Sequence, residues 1–136
     1  MPPRLVADIN GNRQPDIIEF KDRGMYISFN NGSNTFQEPK MIIQDFGYTS
    51  GWRVKKHIRL VADIRNTGRA DIVGFGNAGV LVSLNTGTGT FASAKLAVAD
   101  FGYNAGTWRI DKHLRFLGDV YGTGLLDIIG FGEGRR

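Results

Sequence analysis

The sequence predicts an all-β fold of β-propeller blades, four-stranded antiparallel sheets whose ring is completed by oligomerisation. Three observations carry that expectation. A segment of about 55 residues repeats along the chain, each copy holds four short apolar runs, and nineteen of the 136 residues are glycine, about twice the usual share.

The repeat is plain in the letters. Arg4-Leu-Val-Ala-Asp-Ile9 returns as Arg59-Leu-Val-Ala-Asp-Ile64 and, more loosely, as Arg115-Phe-Leu-Gly-Asp-Val120. Asp16-Ile-Ile-Glu-Phe20 returns as Asp71-Ile-Val-Gly-Phe75 and as Asp127-Ile-Ile-Gly-Phe131. Met25 to Asn30 returns as Val80 to Asn85, Asp45-Phe-Gly-Tyr48 as Asp100-Phe-Gly-Tyr103, Trp52-Arg53 as Trp108-Arg109, and Lys56-His57 as Lys112-His113. The second copy carries its one extra residue between Tyr103 and Trp108, a loop position where an insertion costs little. The organisation expected is blade 1 at 1–57, blade 2 at 58–113 and a partial blade 3, its first two strands, at 114–136.

Within one copy the elements follow in order. Leu60 to Ile64 is a short apolar run that ends at the polar turn 65–69. Asp71 to Phe75 is a second run, closed by Gly76-Asn-Ala-Gly79. Val80 to Leu84 is the third, followed by the turn Asn85-Thr-Gly-Thr-Gly89. Thr90-Phe91 with Leu96 to Phe101 forms the fourth. Four strands joined by hairpin-length loops make a propeller blade, and a sandwich would not need so close a repeat. No stretch carries a long 3.6-residue apolar stripe, so almost no helix is expected.

Composition narrows the function. With 41% apolar and 22% charged residues the chain is globular, and without cysteine it has neither disulfides nor thiolate metal sites. No apolar run is long enough to span a bilayer as a helix, so no membrane insertion is expected. The net charge of +4 is mild. Its densest basic stretch, Arg53, Lys55, Lys56 and Arg59, has no RNA-binding aromatic motif, and no nucleic-acid partner is expected. Catalysis has little support: the two histidines are copies of one another, and no hydrolase, metalloprotease or phosphate-cradling motif is present.

Two constellations remain. Asp8, Asn10, Asn12 and Asp16 stand at positions 1, 3, 5 and 9 of a loop, with the Gln14 carbonyl at 7. That spacing can turn oxygens toward one centre, as calcium requires. The other reading is a metal-free turn in which the aspartates accept backbone N–H groups. In the second and third copies Arg65, Thr67, Tyr121 and Thr123 replace the amides, so any calcium belongs to the first loop alone. The other constellation is Trp52, Arg53 and His57, repeated as Trp108, Arg109 and His113. An aromatic face with a few fixed polar groups suits a sugar ring, while the same aromatics could simply pack one blade on the next.

These residues resemble known repeats. Asp-x-Asn-Gly-Asn-x-x-x-Asp at Asp8 to Asp16, followed by Ile-Ile-x-Phe, looks like the FG-GAP (VCBS) type of propeller repeat. The fuller pattern, Trp-Arg-x-x-Lys-His-x-Arg-x-x-x-Asp with Asp-Ile-Val-Gly-Phe-Gly, is similar to the Psathyrella velutina type of fungal lectin, a seven-bladed propeller. The resemblance covers essentially the whole chain. It implies an extracellular, non-catalytic lectin for glycans ending in N-acetylglucosamine, with sialic acid tolerated, held in pockets between blades, and calcium in some Asp-rich loops. One pocket would use Trp52, Arg53 and His57 with Gly76 and Asn77, and a second Trp108, Arg109 and His113 with Gly132 and Glu133. The first copy reads Glu19-Phe-Lys21 where the others read Gly-Phe-Gly, so no complete pocket is expected there.

About two and a half blades cannot close a ring, which needs four to eight. The expectation is a homo-oligomer, with a trimer favoured at about seven blades and a dimer, at about five, as the alternative. A propeller scaffold without sugar binding, including an engineered or partial piece of a longer propeller, is the competing reading.

Overall fold

The computed structural model describes residues 3–133; residues 1–2 and 134–136 of the expected first and third units lie outside the described residues. Strands β1 (Arg4–Ala7), β2 (Asp16–Phe20), β3 (Met25–Ser28) and β4 (Lys40–Ile43) form one antiparallel sheet in sequence order. After a single 3₁₀ turn at Tyr48–Ser50, β5 (Ile58–Ala62), β6 (Asp71–Phe75), β7 (Val80–Ser83) and β8 (Lys95–Val98) form a second. β9 (Leu114–Gly118) and β10 (Asp127–Phe131) pair as a two-stranded third. Each sheet is a blade, and the first strands β1 and β5 come into contact.

Registers repeat with the sequence. Ile18 faces Leu5 and Ile27, as Val73 faces Leu60 and Val82. Both blades shift register by one step between β3 and β4 or β7 and β8, at Met25/Tyr26 and Val80/Leu81.

Side-chain periodicity explains the stacking. In β2 burial alternates: Ile18 and Phe20 face blade 2, while Ile17 and Glu19 lie on the other face. β6 is buried throughout because it is covered on both faces, which is why Asp71-Ile-Val-Gly-Phe75 reads as continuous rather than alternating. One core joins Ile18, Phe20, Met25 and Ile27 of blade 1 to Ala70 and Ile72 of blade 2. A second joins Val73, Phe75 and Val80 to Leu117 and Ile128 of the third sheet. Each such buried side chain is worth about 1.5–3 kcal/mol of hydrophobic transfer. On the outer face of blade 1 Val6, Phe36 and Met41 are exposed, although Val61 and Phe91, the counterparts of Val6 and Phe36, pack against the first core.

Strand edges differ from the expected ones in three places, the least being β7, which ends at Ser83 rather than Leu84. β5 begins at Ile58, two residues early, because its whole length pairs with β6, from Ile58 opposite Phe75 to Ala62 opposite Asp71. Asp63 leaves the ladder to accept turn N–H groups. The fourth strand is only Lys95–Val98; Phe91 makes an isolated bridge to Asn85, and Phe101 has φ 61° and turns out of the sheet.

Candidate functional site

The segment that leaves each full blade is built twice on one plan. Asp45 accepts the N–H of Phe46 at 2.6 Å, and Asp100 that of Phe101 at 2.7 Å. Both phenylalanines are held at positive φ, 62° and 61°, a conformation unfavourable for a bulky side chain. The packing that holds them there is aromatic: Phe46 lies 5.1 Å from Trp52, and Phe101 5.0 Å from Trp108, centroid to centroid. The tryptophan then reaches the next blade. A Cβ at Gly74 would collide with Trp52, and one at Gly130 would lie 2.7 Å from Trp108 Cη2. Gly74 and Gly130 are therefore glycine because an indole occupies the space of a side chain.

The histidines are fixed next. The backbone N–H of Arg53 donates to His57 Nδ1 at 2.9 Å, and that of Arg109 to His113 Nδ1 at 3.0 Å. Each imidazole meets its tryptophan edge-on, at 5.3 and 5.4 Å and 73° in both copies. Nε2 points to the turn of the following blade, 2.7 Å from Asn77 Oδ1 in one case and 3.4 Å from Glu133 Oε1 in the other. Burial lowers the His57 pKa from 6.5, against the Asn77 hydrogen bond, which raises it, while Arg59, Lys56 and Arg53 lower it further.

A cavity of about 300 Å³ lies over this cluster between blades 1 and 2. Trp52, His57, Gly76 and Asn77 line it, with Asp45, Ser50, Gly51 and Leu81. The structure brings these four predicted residues together. It does not bring in the side chain of Arg53, which stacks 3.5 Å over the Tyr48 ring and donates to the Tyr48 and Trp52 carbonyls. Arg109 is tied back to Tyr103 in the same way. Arg53 instead borders a larger, basic cavity of about 870 Å³ with Lys21, Arg23 and Lys55. Trp52 is 8% exposed, so it forms a wall of the small cavity and a packing element between blades rather than an open stacking face. Gly132 and Glu133 sit by Trp108 and His113 as their counterparts do.

Among solved structures the chain matches a lectin from Agrocybe aegerita, described in its specific recognition of non-reducing terminal N-acetylglucosamine. The two share 58% identity with a TM-score of 0.93 over 97% of this chain. The chain is similar to a lectin. It spans 33% of that lectin's length. No protein-family model matches the chain, and no curated protein sequence matches it.

The lectin likeness does not extend by itself to calcium, and the first loop is arranged as a turn. Asp8 accepts the N–H groups of Gly11 and Arg13, and Asn12 that of Gln14; the amide oxygen of Asn10 is 3.4 Å from the Asn12 N–H. Asp16 is fully buried and accepts from Ile9 and Asn30. Each carboxylate oxygen takes one backbone donor and keeps a lone pair; with Asp16 fully buried, Asp8, Asn10, Asn12, Gln14 and Asp16 are arranged as a capped turn. The other copies cap their turns alike: Asp63 takes Thr67 and Gly68, and Asp119 takes Thr123 and Gly124. The Gly124 N–H, more than any other group, holds the Asp119 carboxyl below its ordinary range. In the second loop Arg65 places its guanidinium 2.8 Å from Asp71, so a cation does sit where a metal would need an oxygen ligand.

Sequence reasoning missed Asp45, Ser50, Gly51 and Leu81 as cavity residues. Asp45 carried a signal, since its Asp-Phe-Gly-Tyr segment repeats at Asp100. The other three line the cavity only through the path of the chain.

Proposed function

We propose that the chain is a non-catalytic lectin for glycans ending in N-acetylglucosamine, bound in the cavity between blades 1 and 2 and at the corresponding position between blade 2 and the third sheet. The observation that carries this reading is the exposed Asn77 amide fixed over a buried His57 at the mouth of a concave, partly apolar cavity. The 58% identity to an N-acetylglucosamine-recognising lectin supports it. So does the chemistry: the backbone N–H on Nδ1 leaves the His57 ring proton on Nε2, which donates to Asn77 Oδ1. The Asn77 NH₂ is then free to donate to an acetamide carbonyl, and Trp52 and Leu81 offer apolar wall to the sugar's C–H face. Asp45 supplies an acceptor for a hydroxyl.

Each site is small, so useful avidity comes from several sites held together. The exposed outer faces of the first and third sheets suit further blades, supplied by copies of this chain in a homo-oligomer, trimer before dimer, or by a longer chain. The FG-GAP type of repeat and tolerance of sialic acid belong to the same reading, as does an extracellular setting.

The test is a glycan array with titration calorimetry on wild type and Asn77→Ala. Asn77 is exposed and His57 keeps its Arg53 bond, but the His57 Nε2–H loses its partner, so a thermal melt of the variant accompanies the binding measurement. Binding to terminal N-acetylglucosamine that weakens in the variant is expected. Failure of the wild type to bind any N-acetylated sugar overturns the proposal.

A further inference from the structure

The two copies of the site agree within about 0.1 Å in the bonds and ring spacings that set Trp, Phe and His, yet the partner of the histidine differs. Where His57 meets Asn77, His113 meets Glu133. Building on the lectin reading, we infer that Asn77 and Glu133 give the two sites opposite ligand chemistry. The first selects a sugar that offers a hydrogen-bond acceptor at its 2-position, the second one that offers a cationic donor there, as in a de-N-acetylated 2-amino sugar.

The argument rests on which atoms remain free. In each copy a backbone N–H donates to Nδ1, so that nitrogen carries no proton and Nε2 is the ring donor. At the first site Nε2–H takes the only acceptor atom of the Asn77 side chain, and what remains is an NH₂ group with two donors. An acetamide carbonyl satisfies it; an ammonium group meets like-signed hydrogen at that group. At the second site Nε2–H takes Oε1 of Glu133, and what remains is Oε2, an acceptor with negative charge. An ammonium satisfies it with a charge-assisted bond, while an acetamide carbonyl faces it oxygen to oxygen. Glu133 is 79% exposed, so solvent screens the contact and the discrimination is modest. The remaining surroundings do not reverse the sign. Arg109, the nearest cation on the same segment, is turned back onto Tyr103 as Arg53 is onto Tyr48, and Asp45 and Asp100 give each site one further carboxylate, so those contributions are common to both.

The chain holds two tryptophans, one in each site, so each site reports on itself. Indole N–H resonances of the ¹⁵N-labelled full chain are titrated with methyl glycosides of N-acetylglucosamine and of glucosamine in its ammonium form. N-acetylglucosamine is expected to move the Trp52 signal at lower concentration than the Trp108 signal, and glucosamine the reverse, each by about fivefold. Asn77→Glu brings the Trp52 response to the order seen at Trp108, and Glu133→Asn does the opposite. If both indoles respond to N-acetylglucosamine alike, or the exchanged variants keep the wild-type order, this inference falls while the lectin reading stands. If neither sugar moves either indole, both fall.

Discussion

Nε2 of His57 lies 2.7 Å from Oδ1 of Asn77, a hydrogen bond that ties the end of blade 1 to the β6–β7 turn of blade 2. His57 is 5% exposed, and burial first, then the neighbouring Arg59, Lys56 and Arg53, lowers its pKa below the unfolded value of 6.5. The unfolded chain therefore binds the proton more readily than the folded one. The stability from this residue is fully present above pH 6.5 and is lost as pH falls below it toward the folded-state value. Thermal melts of wild type and His57→Gln, run at a series of pH values, should converge as the medium is acidified through that window. Parallel curves would remove His57 as the cause.

Gly74 faces an indole. Alanine there drives a methyl group into Trp52, between two cores that have no room to shift, and should cost about 1–3 kcal/mol by overpacking. In a Trp52→Leu background, which carries its own packing cost, the same Gly74→Ala change should cost less in a denaturant melt. A smaller cost in that background than in wild type marks the collision as the cause; equal costs in the two would point to the backbone.

Much of this was legible in the letters and some was not. Asp71-Ile-Val-Gly-Phe75 announced a strand, and its copies at Asp16 and Asp127 announced the same strand elsewhere, but that β6 is covered on both faces and β2 alternates came only with the packing. The pairing of His57 with Asn77 could be expected only through resemblance, because twenty residues and a blade boundary separate them. Arg53 shows the limit. Its letter pattern is identical in both repeats, yet its guanidinium is held by Tyr48, at a distance the linear sequence does not encode. The Asp-rich first loop shows another: spacing that could gather oxygens around a metal is also spacing that caps a turn, and the caps themselves appear only with the backbone N–H positions.

Asn85 is buried, and its side-chain amide donates to the Ile9 carbonyl of blade 1 and the Ala70 carbonyl of blade 2. Its counterpart Asn30 donates only to Pro15, at an exposed position. Asn85→Ala leaves two buried carbonyls without donors and should cost about 2–4 kcal/mol, at 1–3 for each unsatisfied group less what relaxation recovers. Asn30→Ala should cost about 1 kcal/mol or less. Equal effects at the two positions would show that the bond across the blade boundary contributes little.

The carboxylates of the first loop give the last prediction. Asp16 is buried with Ile9 and Asn30 donating to it, and Asp71 holds the same post with Asn85 and Arg65. An ion in this loop would meet one accessible carboxylate, Asp8, because Asp16 is fully buried, and the amide oxygens beside it carry no charge. The midpoint of thermal unfolding should therefore stay the same in millimolar calcium and in excess chelator. Asp16→Asn, which trades a buried carboxylate acceptor for an amide, should lower the midpoint equally in both media. A midpoint that rises with calcium in wild type and not in Asp16→Asn would mean that the loop rearranges around the ion, and that the turn seen here is only its metal-free form.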